Sequence, residues 1–221
     1  MTLLVALLVP LTAGLGFWQI DRGAQKRAIE DARLASYGAL PVDEAHLMDA
    51  PAFARVRVDG RYDGARQFLV DNRSQRGLPG YVVVTPFDTA GGKRLLVDRG
   101  WIEAPASRDE LPEAPAPDST VRIVGALWSA SAGAKDTSAW SESWPKRVEQ
   151  FDGARMSETV GGAIPMEFRL EEDQPGSLEP ILIGEEMSST RHIGYAVQWF
   201  AMAIAMVAAY VVLGLRRARD Q

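Results

Sequence analysis

Two stretches without charge frame the chain. Residues 1–20, MTLLVALLVPLTAGLGFWQI, and residues 193–215, IGYAVQWFAMAIAMVAAYVVLGL, hold no Asp, Glu, Lys or Arg. At about 1.5 Å per residue, roughly 20 helical residues cross a hydrocarbon core of about 30 Å. Transmembrane helices are therefore predicted over 1–20 and 192–215. The first stretch also has the length of a signal peptide. It lacks a basic leader and an A-x-A cleavage site, and Phe17-Trp18 suits an interfacial belt, so a retained helix is expected. Pro10, in mid-helix, is expected to bend it.

Between the two stretches the period changes. DRGAQKRAIEDARLASY carries Ala24, Ala28, Ile29, Ala32 and Leu34 at helical spacing, which predicts a continuation of the first helix, or a short second one, to about Tyr37. GALP ends it. Strand patterns follow in ARVRVDGRY, RQFLVDNR, YVVVTPF, RLLVDRGWI, VRIVGALW, MEFRLEED and EPILIG, separated by turn clusters such as SQRGLPG and DTAGGK. Residues 103–120 read as a proline-rich loop. Residues 129–150 read as irregular, with Trp140 and Trp144 covering a sheet edge or face, and FDGARMSETVG as a short helix. The predicted fold class is an α+β membrane protein, two transmembrane helices flanking a mostly antiparallel β domain over 21–191. About 170 residues suffice for a core of their own.

Charge sets the expected topology. The tail 216–221 carries Arg216, Arg217 and Arg219 and is read as cytoplasmic under the positive-inside rule. Two spans then return the N-terminus to the same side and leave 21–191 extracytoplasmic. The absence of a transit peptide ahead of the first span favours a bacterial inner membrane. Net charge is −5. Setting aside Arg216, Arg217, Arg219 and Asp220 leaves 21 basic against 28 acidic residues, near −7. That argues against nucleic acid as a partner. With no cysteine, disulfides, thiolate metal sites, covalent c-type haem attachment and thiol-based copper delivery are excluded. There is no G-x-S-x-G, H-E-x-x-H, P-loop or G-x-G-x-x-G, and the two histidines are too few for triad chemistry. A non-enzyme is expected, and His46, without a metal partner in sequence, reads as surface.

Four segments hold candidate chemistry. Gly16, Trp18, Gln19, Arg22 and Lys26 read first as a membrane border with an aromatic anchor and snorkelling cations; Trp18 and Arg22 also share a face. Asn72, Arg73, Arg76, Gly77 and Gly80 read as a tight turn, or as two cations placed for a carboxylate or propionate. Arg99-Gly100-Trp101 reads as a bent strand end, or as a binding rim. In the last span His192 is grouped by helical spacing with Tyr195, Trp199, Met202 and Met206. Ala201, Ala205 and Ala209 form another stripe, on which the first helix, with Gly14 and Gly16, is expected to pack. His192 reads as an interfacial side chain, or as an axial haem ligand with Arg191 beside it for a propionate. Gln198, polar within the span, suggests a partner in the membrane.

Taken in order, these segments resemble the surfeit locus (Surf/Shy) family of cytochrome c oxidase assembly proteins. The matching residues are Gly16-x-Trp18-Gln19-x-x-Arg22 with Lys26; Asn72-Arg73 with Gly77, Gly80 and Thr85-Pro86-Phe87; Val97-x-Arg99-Gly100-Trp101; and His192-x-x-Tyr195-Ala196-x-Gln198-Trp199-Phe200. The short N-terminus and the low-complexity stretch Ser129–Ala139 depart from the family pattern. The resemblance implies an assembly factor for an aa3-type oxidase that holds haem a transiently and assists its insertion into subunit I. His192 would ligate the iron, Tyr195 and Trp199 would form a wall, and Arg191 or arginines of the outer domain would hold propionates. Implied partners are oxidase subunit I, haem a synthase and the lipid bilayer. The alternative is a cofactor-free membrane scaffold that holds subunit I during assembly.

Overall fold

The computed structural model describes residues 2–107, 110–128, 135–181 and 189–219. They fall into two compact units, Met1–Arg33 with Glu185–Gln221, and Leu34–Gly184.

The first unit is a pair of long helices, α1 (Thr2–Tyr37) and α3 (Ser189–Arg219), with α2 (Gly153–Thr159) lying in the other unit. Both long helices are long and apolar enough to cross a membrane. The stretch after Ile20 continues α1 as one helix through to Tyr37. The pair buries small and polar side chains and turns its large ones outward. Thr12, Gly16, Gln19 and Gly23 are covered on α1, and His192, Ala196 and Ala203 on α3. Leu3, Leu7, Leu11, Phe17 and Trp18, with Val197, Ile204 and Val211, are exposed. That inversion of a soluble helix pair suits lipid, where close backbone approach, not burial from water, drives packing.

The second unit is a closed, mixed β-barrel. Its strands are β1 (Val42–Asp43), β2 (Arg55–Tyr62), β3 (Phe68–Val70), β4 (Gly80–Thr89), β5 (Arg94–Glu103), β6 (Val121–Trp128), β7 (Lys146–Val148) and β8 (Glu167–Leu170), with a short 3-10 turn over Glu44–His46. The order is β1-β2-β6-β8-β5-β4-β3-β7, and pairing of β2 with β4 closes the ring. Five pairings are antiparallel, while β1–β2, β3–β7 and β5–β8 run parallel. The parallel pairs explain what the hydrophobic pattern did not show. β1 and β7 are only two and three residues long, too short for alternation to register. EPILIG forms no strand over its described part. Glu179 makes a single bridge to Trp101, and residues 182–184 lie outside the described residues, as do 129–134 of the low-complexity stretch.

β2 and β6 alternate cleanly. They send Val56, Val58 and Tyr62, and Ile123 and Leu127, into the barrel with Phe87, Leu95, Val97 and Phe168. β4 and β5 are buried on both faces, because outer layers cover them. On one side Val82, Val84 and Leu96 meet Met156 of α2, with Trp140 and Trp144 packed beside them. On the other, Leu69, Tyr81 and Val83 meet the proline-rich loop at Ala114. Both tryptophans meet the Phe68 ring edge to face, at 5.6 and 5.2 Å, which is the face-covering role expected for them. Asp152 starts α2 by accepting the Arg155 amide.

Candidate functional site

The helix pair brings together two polar residues 173 positions apart. His192 Nδ1 lies 2.6 Å from Gln19 Oε1, and the imidazole is 4 % exposed. Gln19 sits at the end of the charge-free part of α1, and His192 one turn into α3. An amide oxygen only accepts, so Nδ1 donates in this bond and Nε2 is the ring nitrogen not engaged by Gln19. An acceptor on one ring nitrogen fixes the orientation of the ring plane, as the outer hydrogen-bond partners of metal-bound histidines do. Two polar groups paired between apolar helices also set the register of the helices, since an unpaired one is costly in lipid.

This geometry corrects the expected division of α3. His192 does not stand on a face apart from the helix contact. It belongs to the contact, with Ala196, Ala203 and partly buried Trp199, Phe200 and Met206. The stripe Ala201, Ala205 and Ala209 is exposed instead. Both stripes offer alanines at helical spacing, so composition does not choose between them; the Gln19 partner selects the one containing His192. Of the two glycines expected at the contact, only Gly16 is there. A Cβ on Gly16 would meet the Phe200 ring at 2.7 to 3.0 Å, whereas one on Gly14 meets nothing within 4 Å. Phe17 holds the same ring edge to face at 5.2 Å. Gly16→Val should therefore separate the helices. It is expected to cost about 1–3 kcal/mol as an overpacked contact and to lower the Tm of the detergent-solubilised protein. Gly14→Val is its matched control and should leave the Tm in place; equal effects would contradict the contact.

The other candidates of this unit lie around the pair. Tyr195 is 45 % exposed, Arg191 and Gln198 are exposed, and Trp199 is half-buried. Gln198 makes no side-chain hydrogen bond among the described residues, so the partner expected for it is not supplied by α1. Trp18 is exposed. Arg22 does not stack on it; its Nη1 donates to Gln25 Oε1 at 2.9 Å, and Gln25 donates to Asp21.

In the β domain the remaining motif residues build a clamp. Arg76 and Gly77 both take positive φ, 52° and 80°, at the tip of a two-residue hairpin bridged by Gln75 and Leu78, the conformation of a type I′ turn. Asn72, also at positive φ, starts the loop. Trp101 donates from Nε1 to the Arg73 carbonyl at 2.7 Å, and its indole lies over Gly80. Arg76 pairs with Glu179 at 2.8 Å. It is therefore not an open anion-binding cation, and only the exposed Arg73 guanidinium stays available.

Arg99 is no rim. It is 2 % exposed and donates to three carbonyls, those of Gly176 (2.7 Å), Ala114 (2.9 Å) and Pro115 (2.7 Å). Burial lowers its pKa, and no carboxylate pairs with it among the described residues. Gly100, at φ 115°, lets the strand bend against Glu179, whose carbonyl a Cβ would meet at 2.5 Å. Segment 174–181 is thus pinned in sequence. Tyr62 Oη holds the Pro175 carbonyl, Arg99 holds Gly176 and Leu178, Trp101 holds Glu179, and Gln75 holds Pro180. Sequence reading singled out Arg99, Trp101 and Arg76 and missed what they hold, because a strap without periodicity leaves no pattern. His46 is exposed, as expected.

The SURF1 family model matches residues 6–204. A SURF1-like protein of Rickettsia felis is 24% identical over 217 residues, covering 95% of both chains. An uncharacterized SURF1-like protein of Mycobacterium bovis is 25% identical over 166 residues, 75% of this chain and 60% of its own. Surfeit locus protein 1 of Takifugu rubripes is 28% identical over 142 residues, 55% and 59% of the two chains. With the match running from α1 through the whole barrel and into α3, the chain belongs to the SURF1 family.

Proposed function

We propose that this protein is a membrane-bound assembly factor for an aa3-type cytochrome c oxidase, holding haem a transiently through His192 and assisting its insertion into subunit I. The reading places it in a bacterial inner membrane with the barrel outside the cytoplasm and haem a synthase as an upstream partner. It assigns the protein no catalysis of its own. One observation carries it: the Gln19–His192 bond occupies Nδ1 and so assigns Nε2 as the ring nitrogen that could meet a metal. His192 would hold the haem iron through that nitrogen, haem a being the cargo to be delivered. Because the imidazole is 4 % exposed, Nε2 becomes reachable only when its ring or the helix pair shifts. A buried single ligand suits holding and release better than permanent binding. Arg191 and Tyr195 are exposed beside it, and in this reading a propionate would meet Arg191 and the macrocycle Tyr195. The test is the absorption spectrum of the detergent-purified protein co-expressed with haem a synthesis, beside a His192 variant. A haem a Soret band lost in the variant supports the holder.

The exposed face of Tyr195, Gln198 and Met202 favours a second reading, a cofactor-free scaffold. A polar amide facing lipid is satisfied by a partner helix. No Soret band in either preparation, together with subunit I co-purifying with wild type and not with Gln198→Leu, would favour this reading.

A further inference from the structure

Two aspartates of the barrel unit are almost fully buried, and they meet opposite surroundings. Asp136 accepts from Ser138, from Trp140 Nε1 at 3.1 Å and from the Glu149 amide at 2.9 Å. Burial pushes its carboxyl up, but these bonds outweigh it and hold it at about 2. Asp98, on β5, is 2 % exposed. Its Oδ1 accepts from the Gly100 amide at 2.9 Å, and its Oδ2 has no hydrogen-bond partner.

The nearest cation does not serve that oxygen. Arg169 on β8 sits opposite Asp98 in the β5–β8 ladder, and Leu96 sits opposite Glu167. Arg169 Nε is 3.7 Å from Asp98 Oδ2, but its single hydrogen goes to Glu167 Oε1 at 3.0 Å, and Nη2 goes to Oε2 at 3.2 Å. The guanidinium is fixed there by stacking on Trp128, 3.6 Å from the ring centre. Both guanidinium bonds recorded for Arg169 go to Glu167, and Asp98 Oδ2 has it only as an ion pair at 3.7 Å with no hydrogen bond, so two acids face one base.

We infer that Asp98 is a neutral carboxylic acid whose Oδ2–H donates to the Glu167 carboxylate, and that this shared proton fastens β8 to β5 at the seam of the barrel. The proton gives the orphan oxygen a partner and reduces the cluster to one anion and one cation. Burial, then repulsion from Glu167 and the bond to it, hold the Asp98 carboxyl well above the usual carboxylate range. The other surroundings do not compensate an ionised Asp98. β4 presents Val84, α2 presents Met156, and its Arg155 donates to the Asp136 and Ser138 carbonyls. Arg73 lines the same pocket as Glu167 and Arg169, from the loop after β3. The seam matters because β8, four residues long, is the one strand between β6 and β5 in the ring.

The sign follows from linkage. A carboxyl with a raised folded-state pKa binds its proton more tightly folded than unfolded. Its stabilisation is complete below the unfolded carboxylate range and is lost as pH rises through the folded value. Over that window the folded-to-unfolded ratio should fall by up to about tenfold per pH unit. Infrared spectra of the full chain in detergent should show a protonated-carboxyl band at neutral pH. Asp98→Asn should remove the band, keep neutral-pH stability because its amide N–H replaces the acid O–H, and flatten the decline that sets in as pH rises above the unfolded carboxylate range. Glu167→Gln, which removes the anion that holds the proton, should also remove the band. A wild type without the band overturns the inference, as does an Asp98→Asn protein that keeps the wild-type pH profile. If Asp98→Asn does not fold, the wild-type band and its loss in Glu167→Gln decide the matter.

Discussion

His192→Gln protein, purified from cells making haem a, should carry no haem a Soret band, whereas wild type should. Glutamine is the sharper replacement than alanine. Its amide can still bond Gln19 and fill the contact between α1 and α3, but it is not an axial ligand, so loss of colour is not loss of the helix pair. Gln19 is a positioning residue, and its effect should differ in kind. Gln19→Leu removes the acceptor that fixes the tautomer, which allows the proton to move to Nε2 and the ring to turn. Loss of such an outer partner typically costs 10–100-fold in affinity, so Gln19→Leu should retain haem a weakly, with a shifted band and faster loss on dilution. Gln19→Glu keeps an acceptor and should recover retention. If Gln19→Leu matches wild type while His192→Gln is colourless, the orienting role fails and the ligand role stands. If all of them bind equally or none binds, the pair is a helix contact and the scaffold reading applies. The Asp98 spectra are independent of this result, since they read the barrel and not the helices.

Much of this architecture was legible in sequence, and the reason is physical. Charge-free runs of membrane length have few structural alternatives, so α1 and α3 were predicted with ends shifted by a few residues. Strands with one face in the barrel, β2 and β6, show period-two alternation, and the turns DTAGGK and SQRGLPG mark the hairpins between longer strands. The missing information is of three sorts. Parallel pairing of two- and three-residue strands is dictated by distant neighbours. The packing face of α3 depends on one hydrogen bond to a residue on another helix; the signal available was a polar residue closing the first apolar stretch, Gln19, and another opening the second, His192. The roles of Arg99 and Asp98 depend on burial. In sequence, an arginine beside Gly-Trp reads equally as a rim and as an internal pin, and LLVDRGW gives no sign that one oxygen of its aspartate is buried without a donor.

Arg99→Leu should destabilise the barrel more than any other single motif change outside the helices. The substitution keeps an apolar stem but leaves two carbonyls in two separate segments without a donor, Pro115 of the proline-rich loop and Gly176 of the strap, and reduces Ala114 to its bond from Gln67 Nε2 at 2.8 Å. Each buried acceptor left without a partner costs about 1–3 kcal/mol. Two such acceptors, with partial hydration at the loop edge, bring the expected total to about 2–5 kcal/mol, large against a typical domain stability of about 5–15 kcal/mol. The guanidinium also lies 5.6 Å from the Tyr62 ring centre, and Tyr62 Oη holds the neighbouring Pro175 carbonyl, so the strap loses two adjacent anchors together. Arg99→Lys should rescue little. Its ammonium retains the charge but lacks the planar fork that reaches three divergent carbonyls. The measurements are the urea midpoint and the rate of limited proteolysis, which should rise in 104–117 and 174–181 before global unfolding. A clamp predicts that both segments loosen in concert, because one side chain ties them. If the midpoint falls while only one segment becomes sensitive, Arg99 serves that segment alone. If the midpoint holds and Arg99→Lys behaves as wild type, water satisfies the carbonyls and the buried charge is not what keeps the strap on the barrel.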